Sequence, residues 1–343
     1  MNLNQVILAE EMSVKKKLLL ILSLLHINGL WTPLRAQDVI VYMRDSLYQG
    51  LKKELIPILN KNFKERVLLK PLQGQALIQR LKHEKHHPKA DLVVGLENNF
   101  SAHDTSLMDT LAPFSGNLPP FEEDLAPALQ DKEPRLIPFC YSYFAFLVRN
   151  TTHQAKIQSL ETFINSSTTT IIPDPRTSDI GFGFLLWMYN LYGDNHLVMW
   201  KKLKKKIITF PKGWQASYML FLKNQAESTI SYTTSELAHT QKNENDVKAI
   251  FMDDGHAVQI WSLALTKRGA KNPTALKVAA FFLSDSVQSM IPEALWSYPA
   301  RKVKLPEAFA TLRRPKALIP PAVSPEERER LIASWMTIMM TKD

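Results

Sequence analysis

Strand-like and helix-like segments alternate along the first part of the chain, and this alternation restricts the fold strongly. Short apolar segments at 39–42, 67–69 and 90–95 predict β-strands. Helical patterns run between them, over 48–63 and onward from Gly74. Because strands that alternate with helices usually pair through helical crossovers, this order predicts an α/β fold with a largely parallel sheet.

The same alternation returns after a proline-rich stretch. Further strands are predicted at 144–148, 170–172 and 229–232, and a helix at 180–192. The chain therefore contains two α/β blocks. In such folds a ligand binds beyond the carboxyl ends of the strands, where loops and helix N-termini converge.

The length and composition exclude several other classes of protein. The chain has 343 residues, 45% hydrophobic and 22% charged, which is ordinary for a globular protein with a large core. Its one cysteine, Cys140, excludes an internal disulfide framework. No run reaches the roughly 20 apolar residues that span a bilayer, which excludes a polytopic membrane protein.

Residues 1–36 predict an export signal. A basic segment precedes the apolar run Leu18–Leu25, and Ala36 is a small residue at the predicted cleavage site. The sequence leaves open whether translation starts at Met1 or Met12. Secreted eukaryotic proteins of this size usually carry disulfides, so we expect a soluble protein of a bacterial periplasm. The net charge is +9, of which residues 1–36 carry +2, so the predicted mature chain is basic and would suit an anionic surface, but an exported protein is not expected to bind nucleic acid.

Six motifs spread over nearly the whole predicted mature chain carry a family resemblance. They are ADLVVGLENN (Ala90–Asn99), PFCYSYFAFLV (Pro138–Val148), DPRTS with the following GFLLW (Asp174–Trp187), PKGWQASYMLFL (Pro211–Leu222), SYTTS (Ser231–Ser235) and IPEALWSYP (Ile291–Pro299). In this order they resemble the periplasmic thiamine-binding proteins of bacterial ABC importers.

The resemblance implies a type II periplasmic binding protein. Two α/β lobes are then joined by hinge strands and close on one small ligand in the cleft between them, and the protein is a monomer without enzymatic activity or cofactor. It delivers thiamine or a thiamine phosphate to the permease subunits of the importer. The implied segments are a signal peptide over 1–36, lobe 1 over 37–141, lobe 2 over 142–233, a return to lobe 1 over 234–292 and a C-terminal part of lobe 2 over 293–343.

The resemblance also implies a set of ligand-binding residues. They are Arg44, Gln73, Gly74, Ser178, Asp179, Trp214, Tyr232, Thr233, Thr234, Ser235 and Trp296. Ser178 is predicted at a helix N-terminus, where free amides and the helix dipole attract an anion. Trp296 matches an aromatic wall that stacks on a cationic ring, an interaction of ~0.5–2 kcal/mol. No residue is expected to act as a catalyst or to ligate a metal.

Five positions differ from the family pattern. Arg44 replaces an aromatic residue, Gln73 replaces an aspartate, and Asp179 replaces a threonine. Leu51 and Ala238 replace a tryptophan and a tyrosine. Because an arginine repels a cationic ring and forms bidentate pairs with phosphate, these differences predict a preference for phosphorylated thiamine, or for another anionic small ligand, over free thiamine.

Two other functions remain open on the sequence alone. One is a protein of the same fold that binds a polyamine or a phosphonate. The other is a secreted hydrolase, although the chain lacks the G-x-S-x-G and H-E-x-x-H motifs of common hydrolase classes. A panel of ligands distinguishes these alternatives.

Overall fold

A computed structural model gives the fold of this chain. It describes residues 38–101, 104–114, 116–129, 131, 134–149, 157–320 and 322–341. The predicted signal peptide over 1–36 and its cleavage site lie outside these residues. Within them, no helix is both long enough and apolar enough to cross a membrane.

Twelve strands in the described ranges join into one sheet with the order β2-β1-β3-β10-β5-β8-β6-β7, and the four short strands pair beside this path. The strands are β1 (Val39–Arg44), β2 (Val67–Leu72), β3 (Leu92–Glu97), β4 (Leu111–Ala112), β5 (Ile137–Arg149), β6 (Thr170–Ile171), β7 (Ile207–Thr209), β8 (Ser228–Tyr232), β9 (Val247–Ala249), β10 (His256–Thr266), β11 (Tyr298–Pro299) and β12 (Ala317–Leu318).

Helices cover the sheet between these strands. They are α1 (Asp45–Asn62), α2 (Gly74–His83), α3 (Asn98–Ser101), α4 (Thr105–Met108), α5 (Leu160–Asn165), α6 (Asp179–Tyr192), α7 (His196–Lys204), α8 (Trp214–Leu222), α9 (Ser235–Thr240), α10 (Pro273–Phe282), α11 (Asp285–Gln288), α12 (Ile291–Leu295), α13 (Glu307–Thr311) and α14 (Pro325–Met340). Short 3₁₀ helices lie at Glu123–Leu129, Gly193–Asn195 and Gly269–Lys271.

The pairing is parallel at the two ends of the sheet and antiparallel at its centre. Strand β1 pairs in parallel with β2 and β3, and β6 pairs in parallel with β7 and β8. Strand β10 pairs antiparallel with β3 and β5, and β5 pairs antiparallel with β8. The predicted largely parallel sheet is therefore wrong at the centre, because β5 and β10 are long strands that run in opposite directions.

Strand β5 connects the two halves of the sheet. Its residues from Ile137 to Tyr143 pair with β10, and its residues from Phe144 onward pair with β8 and β9. We call β1–β3 with their partners the first sheet region and β6–β9 the second sheet region. The predicted lobe boundaries stay a prediction, and the predicted return at 234 precedes β9, which still pairs in the second region.

Each sheet region has its own apolar core. Helix α1 buries Leu51, Leu55 and Leu59 at helical spacing against Val39 and Val41 of β1. This spacing places the leucines on one face of the helix, so burial of that face stabilises the first sheet region.

The second region is built around α6, which is buried from Ile180 to Met188. Helix α14 packs there against α7, with the rings of Trp200 and Trp335 edge to face and 6.0 Å apart. Its N-cap, Ser324, accepts a hydrogen bond from the amide of Glu327 at 3.1 Å, which stabilises the start of the helix.

Candidate ligand-binding site

A pocket of about 580 Å³ opens where strands of the first sheet region end and helices of the second region begin. Ser46 and Gln73 come from the first region, and Thr177 and Gly213 come from the second. A volume of this size is in the range of roughly 300–1,000 Å³ that small-molecule sites occupy. The pocket lies beyond the carboxyl ends of β1 and β3, where α/β proteins bind ligands.

Eight of the eleven predicted site residues line this pocket. They are Arg44, Gln73, Ser178, Asp179, Trp214, Tyr232, Ser235 and Trp296. Their roles toward a ligand stay predictions, because the geometry shows only that they share one cavity.

Gly74, Thr233 and Thr234 are not among the residues that line the pocket. Thr233 is fully buried, and the Thr234 hydroxyl donates to the carbonyl of Trp296 at 2.5 Å. Since Trp296 has a left-handed backbone with φ of 51°, this hydrogen bond fixes a conformation that a tryptophan rarely adopts. Thr234 thus supports the pocket from behind.

Arg44 forms ion pairs on both sides of the pocket. Its Nη1 lies 2.5 Å from Oε1 of Glu97 at the end of β3, and its Nη2 contacts the carboxylate of Asp179 at the start of α6. The Arg44 side chain is 16% exposed and that of Glu97 only 1%. One guanidinium is therefore shared by two carboxylates, one from each sheet region.

Two glycines make room for the Arg44 side chain. A Cβ at Gly74 would lie 2.7 Å from Nη1 of Arg44, and a Cβ at Gly95 would lie 2.4 Å from its Cβ. Gly95 also has a φ of +105°, which favours glycine. Gly74 therefore acts through its lack of a side chain, not as a lining residue.

The pKa values of Arg44 and Glu97 are both shifted in this cluster. Burial lowers the pKa of Arg44, but Glu97 and Asp179 outweigh this effect, so the pKa is raised and the guanidinium stays charged. Burial also raises the pKa of Glu97 well above its ordinary value, and Asp179 adds to this rise against the opposing effect of Arg44. The cluster is neutral when Glu97 is protonated and carries one negative charge when both acids are ionised.

This pairing removes the reason given above for a preference for phosphate. That expectation assumed a guanidinium free to repel a cation and to grip a phosphate. In the structure one carboxylate contacts Nη1 of Arg44, a second contacts Nη2, and together they compensate its charge.

The start of α6 is also occupied by groups of the protein itself. The Ser178 hydroxyl is the N-cap and accepts a hydrogen bond from the Gly181 amide at 3.3 Å. The carboxylate of Asp179 stands in the first turn of the helix. Because an acid at a helix N-terminus already interacts with the helix dipole, this end of the pocket offers less to an anion than predicted.

The N-terminus of α8 also faces the pocket, and no side chain of its N-cap residue hydrogen-bonds its free amides. Gly213 is the N-cap of α8 and has no side chain to cap the helix, and both Gly213 and Trp214 line the pocket. The exposed Lys242 lines the pocket as well. Free amides at a helix N-terminus together with an ammonium group form a favourable place for an anionic substituent.

Aromatic rings form much of the remaining wall. The indole of Trp214 donates to the Ser231 hydroxyl at 3.0 Å and packs on the Tyr218 ring, with centroids 4.9 Å apart. Trp214 is 38% exposed, so part of its surface remains free. On another part of the wall, Trp296 stacks on Phe309 at 6.2 Å.

A chain of hydrogen bonds fixes Tyr218 beside Trp214. The Tyr218 hydroxyl lies 2.5 Å from Nε2 of His239, and Nδ1 of His239 lies 2.6 Å from a carboxylate oxygen of Glu244. Because the Tyr218 ring packs on Trp214, this chain also restricts the position of the tryptophan.

Sequence reasoning missed several buried residues of the pocket, among them Glu97, Gln259 and Trp261. Glu97 ends a buried strand at the edge where ligands were expected. Gln259 is a glutamine within a mainly apolar central strand, which is itself a signal, since a buried amide requires hydrogen-bond partners. In the part of the chain that the structure describes, no group of three or more His, Cys, Asp or Glu side chains is arranged to hold a metal ion.

Two sheet regions linked by long strands, with a pocket between strand ends and helix N-termini, form the kind of fold that binds a small solute. Residues 123–294 match the family of bacterial extracellular solute-binding proteins. The chain belongs to this family.

Individual relatives cover most of the chain. It is 33% identical over 334 residues to a thiamine-binding periplasmic protein of Brucella abortus, covering 93% of this chain and 97% of that protein. It is 35% identical over 273 residues to the thiamine-binding periplasmic protein of Escherichia coli, covering 76% and 80%. The resemblance carried by the six motifs is thus confirmed at the level of the family.

Solved structures show the same fold. A periplasmic thiamin binding protein superposes with a TM-score of 0.75 at 30% identity, covering 91% of this chain and 100% of that one. A ferric binding protein from Campylobacter jejuni superposes with a TM-score of 0.65 at 17% identity, covering 88% and 98%, and this likeness concerns the fold alone. The fold is the predicted type II periplasmic binding protein fold.

Proposed function

We propose that this chain is the substrate-binding component of an ABC importer and that it binds thiamine in the pocket described above. The observation that carries the proposal is the combination of aromatic side chains and carboxylates in the wall of one pocket. Trp214, Tyr232 and Trp296 supply ring faces, and the carboxylates of Glu97 and Asp179 cancel the positive charge of Arg44. Thiamine is a cationic thiazolium linked to an aminopyrimidine, so it offers one charge and two flat rings to such a wall.

The electrostatics of the pocket support a cationic ligand. Arg44 is compensated by two carboxylates, so the cluster does not repel a thiazolium as a free arginine would. A tryptophan face near a quaternary nitrogen contributes ~0.5–2 kcal/mol. The names of the relatives, which are thiamine-binding proteins, support the same ligand.

Thiamine phosphates are the second candidate. The N-terminus of α8 at Gly213 and the ammonium of Lys242 would receive a phosphate on the hydroxyethyl arm of the vitamin. This site is separate from Arg44, which the sequence had suggested for the same purpose.

The remaining parts of the proposal concern location and partners. Residues 1–36 would direct export to the periplasm, and the mature monomer would deliver its ligand to the permease subunits. A binding role, with no catalysis, agrees with the names of the relatives, which are binding proteins.

A thermal-shift panel tests the ligand. The purified mature chain is heated with thiamine, thiamine monophosphate, thiamine diphosphate, spermidine or 2-aminoethylphosphonate. A ligand at about 100 times its dissociation constant stabilises the folded state by about 2.7 kcal/mol, so we expect a clear rise in melting temperature with thiamine. A rise with spermidine or the phosphonate, and none with any form of thiamine, would contradict the proposal.

The variant Lys242→Ala separates the two thiamine candidates in the same panel. It is expected to reduce the shift caused by the phosphates and to leave the shift caused by thiamine unchanged. Lys201→Ala is a control, because Lys201 is an exposed lysine on α7 that does not line the pocket. Equal shifts in all variants would place the phosphate elsewhere.

A further inference from the structure

The floor of the pocket holds a buried amide that lacks a hydrogen-bond partner for its nitrogen. Gln259 is 1% exposed and lines the pocket. Its Oε1 accepts a hydrogen bond from the Tyr232 hydroxyl at 3.1 Å, but its Nε2 has no partner in the structure. An unpaired buried donor destabilises the empty pocket, and an acceptor on the ligand would supply the partner that it lacks.

The register of the sheet places two further residues beside Gln259. Gln259 and Trp261 are two residues apart in β10, so their side chains lie on the same face. Trp261 is the direct antiparallel partner of Glu97 in β3, and directly opposed residues also share a face. The strand pairing is irregular next to Trp261. Irregularities of this kind, called β-bulges, often change the direction of side chains at functional sites.

These three side chains differ in hydrogen-bonding capacity. The amide nitrogen of Gln259 donates, and the indole of Trp261 donates. A carboxyl oxygen of Glu97 accepts whether or not the acid is ionised, and its Oε1 lies 2.5 Å from Nη1 of Arg44. A flat ring lying against this floor would therefore meet donors and an acceptor within one buried surface.

We infer that Gln259, Glu97 and Trp261 form the subsite that recognises the polar edge of a nitrogen heterocycle bearing an amino group. The Gln259 amide donates to a ring nitrogen, and Glu97 accepts from the amino group. This inference rests on the proposed function and deepens it, because it assigns the aminopyrimidine ring of the ligand to the buried surface formed by these three side chains. It also makes Gln259 a determinant of specificity that the six sequence motifs do not contain.

Calorimetric titration of the wild-type chain with thiamine and with oxythiamine tests this subsite without any substitution. Oxythiamine carries an oxygen in place of the amino group and a hydrogen on the adjacent ring nitrogen, so both contacts are mismatched. We expect thiamine to bind at least tenfold more tightly than oxythiamine, since a site built for hydrogen bonds rejects a ligand that leaves its groups unpaired.

The variant Gln259→Met then removes the donor while keeping a side chain of similar length. We expect a tenfold to hundredfold loss of affinity for thiamine and a smaller preference over oxythiamine. Gln79→Met is the matched control, because Gln79 is an exposed glutamine on α2 that does not line the pocket. Its binding of both compounds should equal that of the wild type.

The outcomes distinguish the inference from the proposed function. Equal affinities for thiamine and oxythiamine, or unchanged thiamine binding in Gln259→Met, would overturn the floor subsite and leave thiamine as the ligand. Binding of neither compound at millimolar concentration would overturn the proposed function and the subsite with it.

Discussion

Replacing Arg44 with methionine is expected to lower the free energy of unfolding by about 3 kcal/mol. The substitution leaves Glu97, which is 2% exposed, without its positive partner and close to Asp179. Removal of one member of a buried ion pair typically costs about 3–5 kcal/mol, and the raised pKa of Glu97, due to burial, reduces the cost because this acid accepts a proton readily. Urea unfolding at pH 7 measures the change.

A matched control for Arg44 is Arg176→Met. Arg176 pairs with Asp174 at 2.6 Å, but its side chain is 50% exposed, so we expect a loss below about 1 kcal/mol. Adding Glu97→Gln to Arg44→Met should recover part of the stability, because it removes the uncompensated acid. Equal losses in Arg44→Met and Arg176→Met would show that Arg44 is a solvated residue and that the cluster is not a structural unit.

Acidification is expected to lower the free energy of unfolding by about 3 kcal/mol through the titration of His256. Its Nδ1 donates to the carbonyl of Phe144 at 2.6 Å, and its Nε2 accepts from the amide of Met252 at 2.8 Å, so the buried ring is neutral. Burial lowers the pKa of His256 from 6.5 to about 4, against a smaller opposing effect of the Phe144 carbonyl. Each unit of pKa difference corresponds to about 1.36 kcal/mol.

The sign of this pH dependence follows from the two states. Between pH 6.5 and about 4 the unfolded chain binds a proton at this histidine and the folded chain does not. The contribution of the neutral His256 to the free energy of unfolding is therefore fully present above pH 6.5, and it is lost as the pH falls through this window. Other groups titrate in acid as well, so a variant is needed to isolate the contribution of His256.

Urea unfolding of wild type and His256→Gln at pH 7 and pH 4.5 provides that comparison. The variant should be less stable at pH 7, but it should lose about 2–3 kcal/mol less than the wild type on acidification. His86→Gln, at an exposed position in the turn after α2, should behave as the wild type. An identical pH dependence in His256→Gln would exclude His256 as the source.

The sequence predicted the local elements well where the pattern is amphipathic. The leucines of α1 mark one buried face, and Gly74 opens α2 as predicted. The short strands β7 and β9 were missed, because three residues carry little periodicity and β7 directly follows a lysine-rich helix. Their position depends on pairing with distant strands, which a local pattern does not contain.

The candidate site was predictable in part. The motifs pointed to Trp214, Tyr232 and Trp296, and all three line one pocket. The pairing of Arg44 with Glu97 and Asp179 was not predictable, because these residues are far apart in sequence and meet only when both sheet regions have formed. Charge assigned to a single residue was therefore misleading, since its partners decide its effect on a ligand.

Calorimetric titration of the mature chain with thiamine, in wild type and in Trp214→Ala, tests the central claim most directly. Trp214 is partly exposed, so its truncation leaves no buried cavity, and Met219→Ala on the same helix is a control that does not line the pocket. We predict one thiamine per chain, at least tenfold weaker binding in Trp214→Ala, and unchanged binding in Met219→Ala. Absence of saturable binding in the wild type, or equal affinity in Trp214→Ala, would contradict the claim that this pocket holds thiamine.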